Sequence, residues 1–182
     1  MKIIIGLLVI ALLFYGWKFW KKIPKPELES FPGHDLKISG KISENVKPEI
    51  SMVYRTTKNE CKIVTNVLTG IPKDQEYKIP VRVEIKPCGY SASAAVLQAK
   101  KGECDWVLSH LQFIFKIKRE ELEYTVDFIE SKNTKALKVD IGCKFMEIPG
   151  ATPLLECEGD EVGKLPIGAK ELVVNFMLQG KL

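Results

Sequence analysis

From Asp35 to the C-terminus, apolar residues recur at every second position, which is the pattern of β-strands that bury one face. Leu111, Phe113, Phe115 and Ile117 form the clearest series. No stretch after residue 34 carries a convincing amphipathic helical pattern, so the folded part is predicted to be all-β. The alternating series span residues 36–42, 50–54, 79–85, 111–117, 122–128, 139–145 and 172–178.

The number and spacing of these strands favour a two-sheet antiparallel β-sandwich over residues 35–182, immunoglobulin-like or transthyretin-like in general shape. Pro80 lacks an amide proton, which predicts a sheet edge or a bulge at that point. Residues 91–99 contain helix-favouring Ala, Leu and Gln, yet strand is preferred there over helix. The apolar positions change from even to odd numbers at Ser109 and His110, which requires a bulge or a turn.

Residues 3–17 carry no charge, and Phe19 and Trp20 continue the apolar run around Lys18. A helix over residues 3–20 would reach about 27 Å, just enough to cross a hydrocarbon core of about 30 Å if Lys18 extends to the headgroups. We therefore predict a single transmembrane helix in an uncleaved signal-anchor, residues 1–22. The aromatic and basic residues expected at the membrane interface are Tyr15, Trp17, Lys18, Trp20, Lys21 and Lys22.

Two other interpretations of this segment remain open. A cleaved signal peptide would need a small-x-small cleavage site, which the bulky and charged residues after the apolar run do not provide. A buried core helix is the other, although so apolar a run at the N-terminus is unusual in a soluble domain. Residues 23–34 contain three prolines and are predicted to be a semi-extended tether that holds the domain clear of the bilayer.

The orientation of this anchor is contested by two features. Four lysines follow the apolar run closely and only Lys2 precedes it, so the positive-inside rule would leave the domain in the cytoplasm. Five cysteines favour the opposite side, because structural disulfides persist in oxidising compartments. We predict a single-pass protein of the inner (cytoplasmic) membrane with its domain in the periplasm. A cytoplasmic-facing domain with reduced, buried thiols is the alternative.

The spacing of the five cysteines favours particular pairs. Opposed residues of an antiparallel hairpin have numbers that sum to twice the turn centre, and Cys143 and Cys157 centre on residue 150, inside Pro-Gly-Ala-Thr-Pro. They are the preferred disulfide. Cys88 with Cys104 would centre on an apolar run, so this pair is disfavoured. Cys61 with Cys104 is the second, weaker prediction, because both begin β-like segments, and it leaves Cys88 as the odd thiol.

Sequence motifs for catalysis or metal binding are missing. No two cysteines have C-x-x-C spacing, and the acidic stretch Glu156, Glu158, Asp160, Glu161 lacks the order of a calcium loop. His34 and His110 are the only histidines, and no nucleophile-elbow or Gly-rich phosphate loop accompanies them. We therefore predict no catalytic residue, no metal site, no cofactor and no small-molecule substrate.

Charge also argues against nucleic acid as a partner. Of 27 basic residues, four lie in residues 1–22, which contain no acid, so the remainder balances 23 basic against 23 acidic residues. A nucleic-acid-binding domain usually has a basic excess. We expect a membrane contact through residues 3–20 and one protein partner, whose identity and binding face the sequence does not define.

The sequence thus favours a membrane-anchored extracytoplasmic protein-binding module without catalytic activity. One specific version is an immunity-type protein that neutralises a toxin at the envelope, since that task needs a tether and a surface but no chemistry. The alternatives are an accessory structural component of an envelope or secretion assembly and, less favoured, an enzyme that uses His110.

Overall fold

The computed structural model describes residues 24–64, 71–117, 120–129, 136–146, 154–158 and 163–179. Within these ranges the chain is all-β, as predicted, apart from one short 3₁₀ turn, Asn59–Cys61. None of the helical structure in these ranges could cross a membrane, and the predicted anchor lies outside them. The strands are β1 (Leu28–Lys41), β2 (Val46–Thr56), β3 (Ile63–Val64), β4 (Pro72–Lys73), β5 (Glu76–Val81), β6 (Val83–Lys86), β7 (Gly89–Ala99), β8 (Trp106–Ile117), β9 (Glu120–Ile129), β10 (Leu137–Met146), β11 (Leu154–Glu158), β12 (Gly163–Pro166) and β13 (Glu171–Gln179).

Two sheets form a sandwich. One has six strands in the order β11-β10-β13-β1-β7-β6, and the other has five in the order β12-β9-β8-β2-β5. The alternating apolar residues of both sheets form the core, where Phe115 and Phe176 stack with ring centroids 4.5 Å apart. The most deeply buried core residues include Leu36, Ile38, Ile50, Leu111, Phe113, Phe115, Ile117, Leu172 and Phe176.

The prediction of a purely antiparallel sandwich is wrong for three strand pairs. β13 lies between β1 and β10 and is parallel to both, and β12 is parallel to β9. The period-two pattern shows which face of a strand is buried, but it carries no information about the direction of the neighbouring strand. Parallel neighbours need long connections, and here the chain passes from one sheet to the other between β11, β12 and β13.

Two local features of the strand prediction are confirmed, and the single strand predicted over residues 79–85 is wrong. Pro80 lies in β5, an edge strand of the five-stranded sheet, and residues 91–99 lie in β7. However, residues 79–85 do not form one strand, because the chain crosses at Arg82 from β5 to β6 in the opposite sheet.

The predicted irregularity at Ser109 and His110 is a β-bulge. On β2, Val53 pairs with His110 while Tyr54 pairs with Leu108. Ser109 is therefore the extra residue of β8, and this accounts for the change in the parity of the apolar positions.

The chain enters the sandwich earlier than the proline content suggested. Residues 28–34, predicted as tether, belong to β1, in which Leu28 pairs with Ala99. The register of β1 and β7 shifts between Ser30 and Asp35, so the Pro-Gly stretch that resembled a linker occupies an irregular part of a strand. The segment before β1 contacts the domain as well, because the Lys100 amide donates to the carbonyl of Glu27 at 2.8 Å.

Two disulfides form between the predicted pairs of cysteines. Cys143 and Cys157 occupy opposed positions on β10 and β11, and Cys61 links the 3₁₀ turn to Cys104 ahead of β8. Cys88 is a free, exposed thiol. Two disulfides in one small domain point to an oxidising, extracytoplasmic compartment.

Candidate functional site

The six-stranded sheet contains a local break between β1 and β13. The two strands pair at residues 37–39 and make a further bridge between Ile42 and Phe176. Between these points, the Tyr90 hydroxyl donates to the carbonyl oxygen of Val174 at 2.8 Å. A side chain at Gly40 would overlap that same carbonyl oxygen, so only glycine permits this close approach of the two strands.

At the break, the side chain of Asn175 bridges β1 and β10. Its Oδ1 accepts a hydrogen bond from the Lys41 amide at 2.9 Å, and its Nδ2 donates to Asp140 Oδ1 at 2.6 Å. Lys138 Nζ lies 3.0 Å from Asp140 Oδ2. The hydrogen bond from Asn175, followed by that from Lys138, lowers the pKa of the Asp140 carboxyl, so this side chain stays ionised and compensates the charge of Lys138.

An open groove of about 520 Å³ lies over this break. We call it the lysine groove and define it by six of its lining residues, Ser39, Lys41, Lys86, Gly89, Lys138 and Asn175. They come from five different strands of the sheet, β1, β6, β7, β10 and β13.

Strand register places two lysines on either side of a glycine. Gly89 pairs with Lys41 of β1 and with Lys86 of β6, so the two lysine backbones are about 10 Å apart across three strands. Gly89 contributes no side chain between them, and a Cβ there would lie 2.5 Å from the Gly40 carbonyl oxygen. The sheet surface between the two lysine positions therefore carries no side chain.

The charge of the lysine groove is positive. Three lysines line it, and Asp140 compensates Lys138 from the neighbouring position. Within the described part of the chain, neither Lys41 nor Lys86 forms a salt bridge. Two ammonium groups flanking an open notch can bind a carboxylate or a phosphate group. Among the described lining residues there is no histidine or carboxylate to act as an acid or base.

His110 lies elsewhere, on the five-stranded sheet. Its side chain is only 3% exposed, and its Nδ1 is 3.1 Å from Ser109 Oγ. Burial, followed by the nearby Arg55 charge, lowers its pKa. His34 lies in β1, so the two histidines and the lysine groove form no common site.

The remaining candidates from the sequence are not brought together. Glu156 pairs with Lys144 at 3.1 Å across β10 and β11, and Glu158 lies further along β11. Asp160 and Glu161 lie outside the described residues, as do the six interface residues of the predicted anchor. No group of three potential metal ligands occurs in the described parts of the chain.

Sequence reasoning did not find the lysine groove. Its residues are separated by more than 130 positions, from Ser39 to Asn175, and only strand order brings them together. The one available signal was glycine at positions 40 and 89, since a glycine inside a strand often marks a close backbone approach.

Comparisons with known proteins add no family to this description. No family model matches the chain, and neither the curated proteins nor the solved structures contain a match to it. A function has to be argued from the lysine groove, the disulfides and the sequence of the N-terminal segment.

Proposed function

We propose that this protein is a membrane-anchored extracytoplasmic module that binds a protein partner by receiving an acidic segment in the lysine groove. The observation that carries the proposal is the pair Lys41 and Lys86, which flank Gly89 and form no salt bridge among the described residues. A carboxylate placed between two ammonium groups makes charge-assisted hydrogen bonds to both. The proposed module has no catalytic activity, cofactor or metal.

The proposed location is the inner membrane, crossed once by a helix within residues 1–22, with the domain in the periplasm. The two disulfides support a domain on the periplasmic side of the membrane, and the uncharged run of residues 3–17 supports a transmembrane anchor. The four lysines after this run favour the alternative, a cytoplasmic-facing domain.

The lysine groove lies at the end of β1 and β7 opposite the point where the chain enters the sheet. β7 runs from Gly89 beside the groove to Ala99, which pairs with Leu28 where the chain enters the sheet. Ten residues of strand span about 33 Å. The groove would therefore stand clear of the membrane, where a partner can reach it.

The narrower version of this proposal is an immunity-type protein that neutralises an incoming toxin. We propose an immunoglobulin-like or transthyretin-like sandwich as the fold of this binding module. An accessory structural role in an envelope or secretion assembly is the main alternative. It predicts that replacing residues 1–22 by an unrelated anchor abolishes function. An enzyme that uses His110 is less favoured, because a side chain 3% exposed offers little access to a substrate.

The test is site-specific photo-crosslinking in cells that produce the full chain. A photoreactive amino acid replaces Ser39 in the groove or, as control, Lys164 on β12 of the other sheet. We expect a crosslinked partner of discrete mass from position 39 only, and its loss when Lys41→Glu and Lys86→Glu are added. An adduct that survives this charge reversal, or none at position 39, would refute the groove as the binding site.

Topology can be read in the same cells. An impermeant maleimide should label the exposed thiol of Cys88 once the outer membrane is opened, with the inner membrane intact. Labelling only after the inner membrane is broken would place the domain in the cytoplasm.

A further inference from the structure

The chain before β1 is fixed to one end of the sandwich. The indole Nε1 of Trp106, the first residue of β8, donates to the carbonyl oxygen of Pro24 at 3.3 Å. Lys22 ends the proposed anchor only two residues earlier, which is at most about 7 Å of extended chain. If the anchor is in the membrane, this end of the domain cannot stand clear of the bilayer.

A small two-stranded antiparallel sheet lies at the same end. β3 and β4 pair only with each other, and we call these strands together with Ile71 the finger. The Cys61–Cys104 disulfide joins its base to the loop before Trp106, and the Thr57 amide donates to the carbonyl of Asp105 at 3.2 Å. These contacts place the base of the finger beside the point where the chain enters the domain.

Apolar exposure is concentrated at this end. In the finger, Ile71 is 63% exposed and Ile63 is 37% exposed. Val107 lies at the start of β8, where it pairs with Arg55. The Ile167 amide donates to the carbonyl of Ile129, the last residue of β9. Val107 and Ile167 therefore lie at the same end of the sandwich as the finger. Together with Ile63 and Ile71, they account for four of the seven large exposed apolar side chains of the described residues, the others being Ile85, Met146 and Met177.

We propose that the finger rests on the lipid surface of the membrane that anchors the chain, with Ile63 and Ile71 at the boundary between headgroups and acyl chains. This inference rests on the proposed anchor at residues 1–22. Transfer of apolar side chains from water to this boundary is favourable, and the exposed Lys73 of the finger suits anionic headgroups.

Docking of the finger would fix the orientation of the domain. The disulfide holds the finger to the body of the sandwich, so the finger and the short segment before β1 would make two contacts with the same bilayer. A domain held at two points does not swing freely, and the lysine groove would then be presented at a constant height above the membrane.

The experiment measures the depth of a fluorophore on the full chain in vesicles. Cys88→Ser removes the free thiol, and an environment-sensitive fluorophore is attached at Ile71→Cys. The matched control is Ile85→Cys, since Ile85 is also an isoleucine, is 58% exposed and lies in β6 at the other end. A nitroxide quencher on the upper acyl chain of lipids in both leaflets makes the result independent of orientation.

Flotation with the vesicles is measured first, because it reports on the anchor alone. For chains that float, we expect the nitroxide lipid to quench the probe at position 71 several-fold more than the probe at position 85, and aqueous iodide to show the reverse order. Equal quenching at both positions would overturn the finger contact and leave the anchor intact.

Two other outcomes also overturn the inference. A blue-shifted probe at position 71 that nitroxide lipid does not quench would show that protein, such as a second copy, covers the finger. Chains that fail to float with intact disulfides would refute the anchor and the finger contact together. A non-reducing gel checks that both disulfides remain in the labelled variants.

Discussion

The two disulfides differ in the length of chain that they close, which allows their contributions to stability to be predicted. Cys61–Cys104 spans a sequence separation of 43 and Cys143–Cys157 one of 14. In the chain-entropy description, a loop of 44 residues restricts the unfolded state by about 4 kcal/mol and a loop of 15 residues by about 3 kcal/mol. The difference, about 1 kcal/mol, depends only on the ratio of the two loop lengths.

The perturbation is replacement of both cysteines of one bridge by alanine, followed by urea unfolding of the purified full chain. We expect C61A/C104A to lose about 1 kcal/mol more free energy of unfolding than C143A/C157A. The two loops do not overlap in sequence, so the losses should add to about 7 kcal/mol in the chain that lacks both bridges. Cys88→Ala is the control, because this thiol is exposed and unbridged, and its effect should stay within about 0.5 kcal/mol.

The reasoning would be refuted if C143A/C157A were at least as destabilising as C61A/C104A. That result would mean that lost packing outweighs loop closure. Packing gives no reason for the reverse order, because Cys61 and Cys104 are both buried, whereas in the other bridge Cys143 is buried and Cys157 only partly so.

Two further predictions concern the break in the six-stranded sheet and the buried histidine. Gly40→Ala should destabilise the domain by about 3 kcal/mol in urea unfolding, since the new methyl group overlaps the Val174 carbonyl. The control Gly142→Ala, whose new methyl group would lie 3.8 Å from the nearest atom, should change stability by less than about 1 kcal/mol. Equal effects of the two substitutions would contradict the steric argument. Burial, followed by the charge of Arg55, lowers the pKa of His110 in the folded state. The unfolded chain therefore binds a proton at this histidine first, as the pH falls through about 6.5. The free energy of unfolding should decline from that pH down to the lower pKa of the folded state. His110→Gln should flatten this decline when unfolding is measured between about pH 7 and about pH 5, and an unchanged slope would exclude His110 as its source.

Properties that depend on one strand or one hairpin could be predicted from the sequence. The apolar alternation follows from which face of a strand is buried, so β8, β9 and β13 were found as strands. The bulge at Ser109 follows from the change in parity, and the Cys143–Cys157 bridge follows from the symmetry of a hairpin about its turn. Each of these inferences uses residues that are close in the chain.

Properties that depend on strand order could not be predicted. Nothing in residues 172–178 indicates that β13 inserts between β1 and β10, because an antiparallel and a parallel neighbour bury the same face. The proline content of residues 23–34 was equally ambiguous, since an irregular part of a strand tolerates Pro32 and Gly33 as well as a linker does.

The lysine groove depends on the insertion of β13 and on how the break beside it is satisfied. Separating two strands leaves backbone groups without partners, which is costly in a protein interior. Here the Tyr90 hydroxyl donates a hydrogen bond to the Val174 carbonyl, and the side-chain oxygen of Asn175 accepts one from the Lys41 amide. Asn175 also holds Asp140.

The groups that repair the break thereby also determine the charge of the groove. Asp140 accepts a hydrogen bond from Asn175 and forms a salt bridge with Lys138, and it lies on the side of β13 away from β6. Lys41 and Lys86 are left on the other side, flanking a glycine. Asn175→Ala should therefore do more than remove two hydrogen bonds. It would free Asp140 to turn towards Lys41, and binding of an acidic segment should weaken although no lysine has been changed.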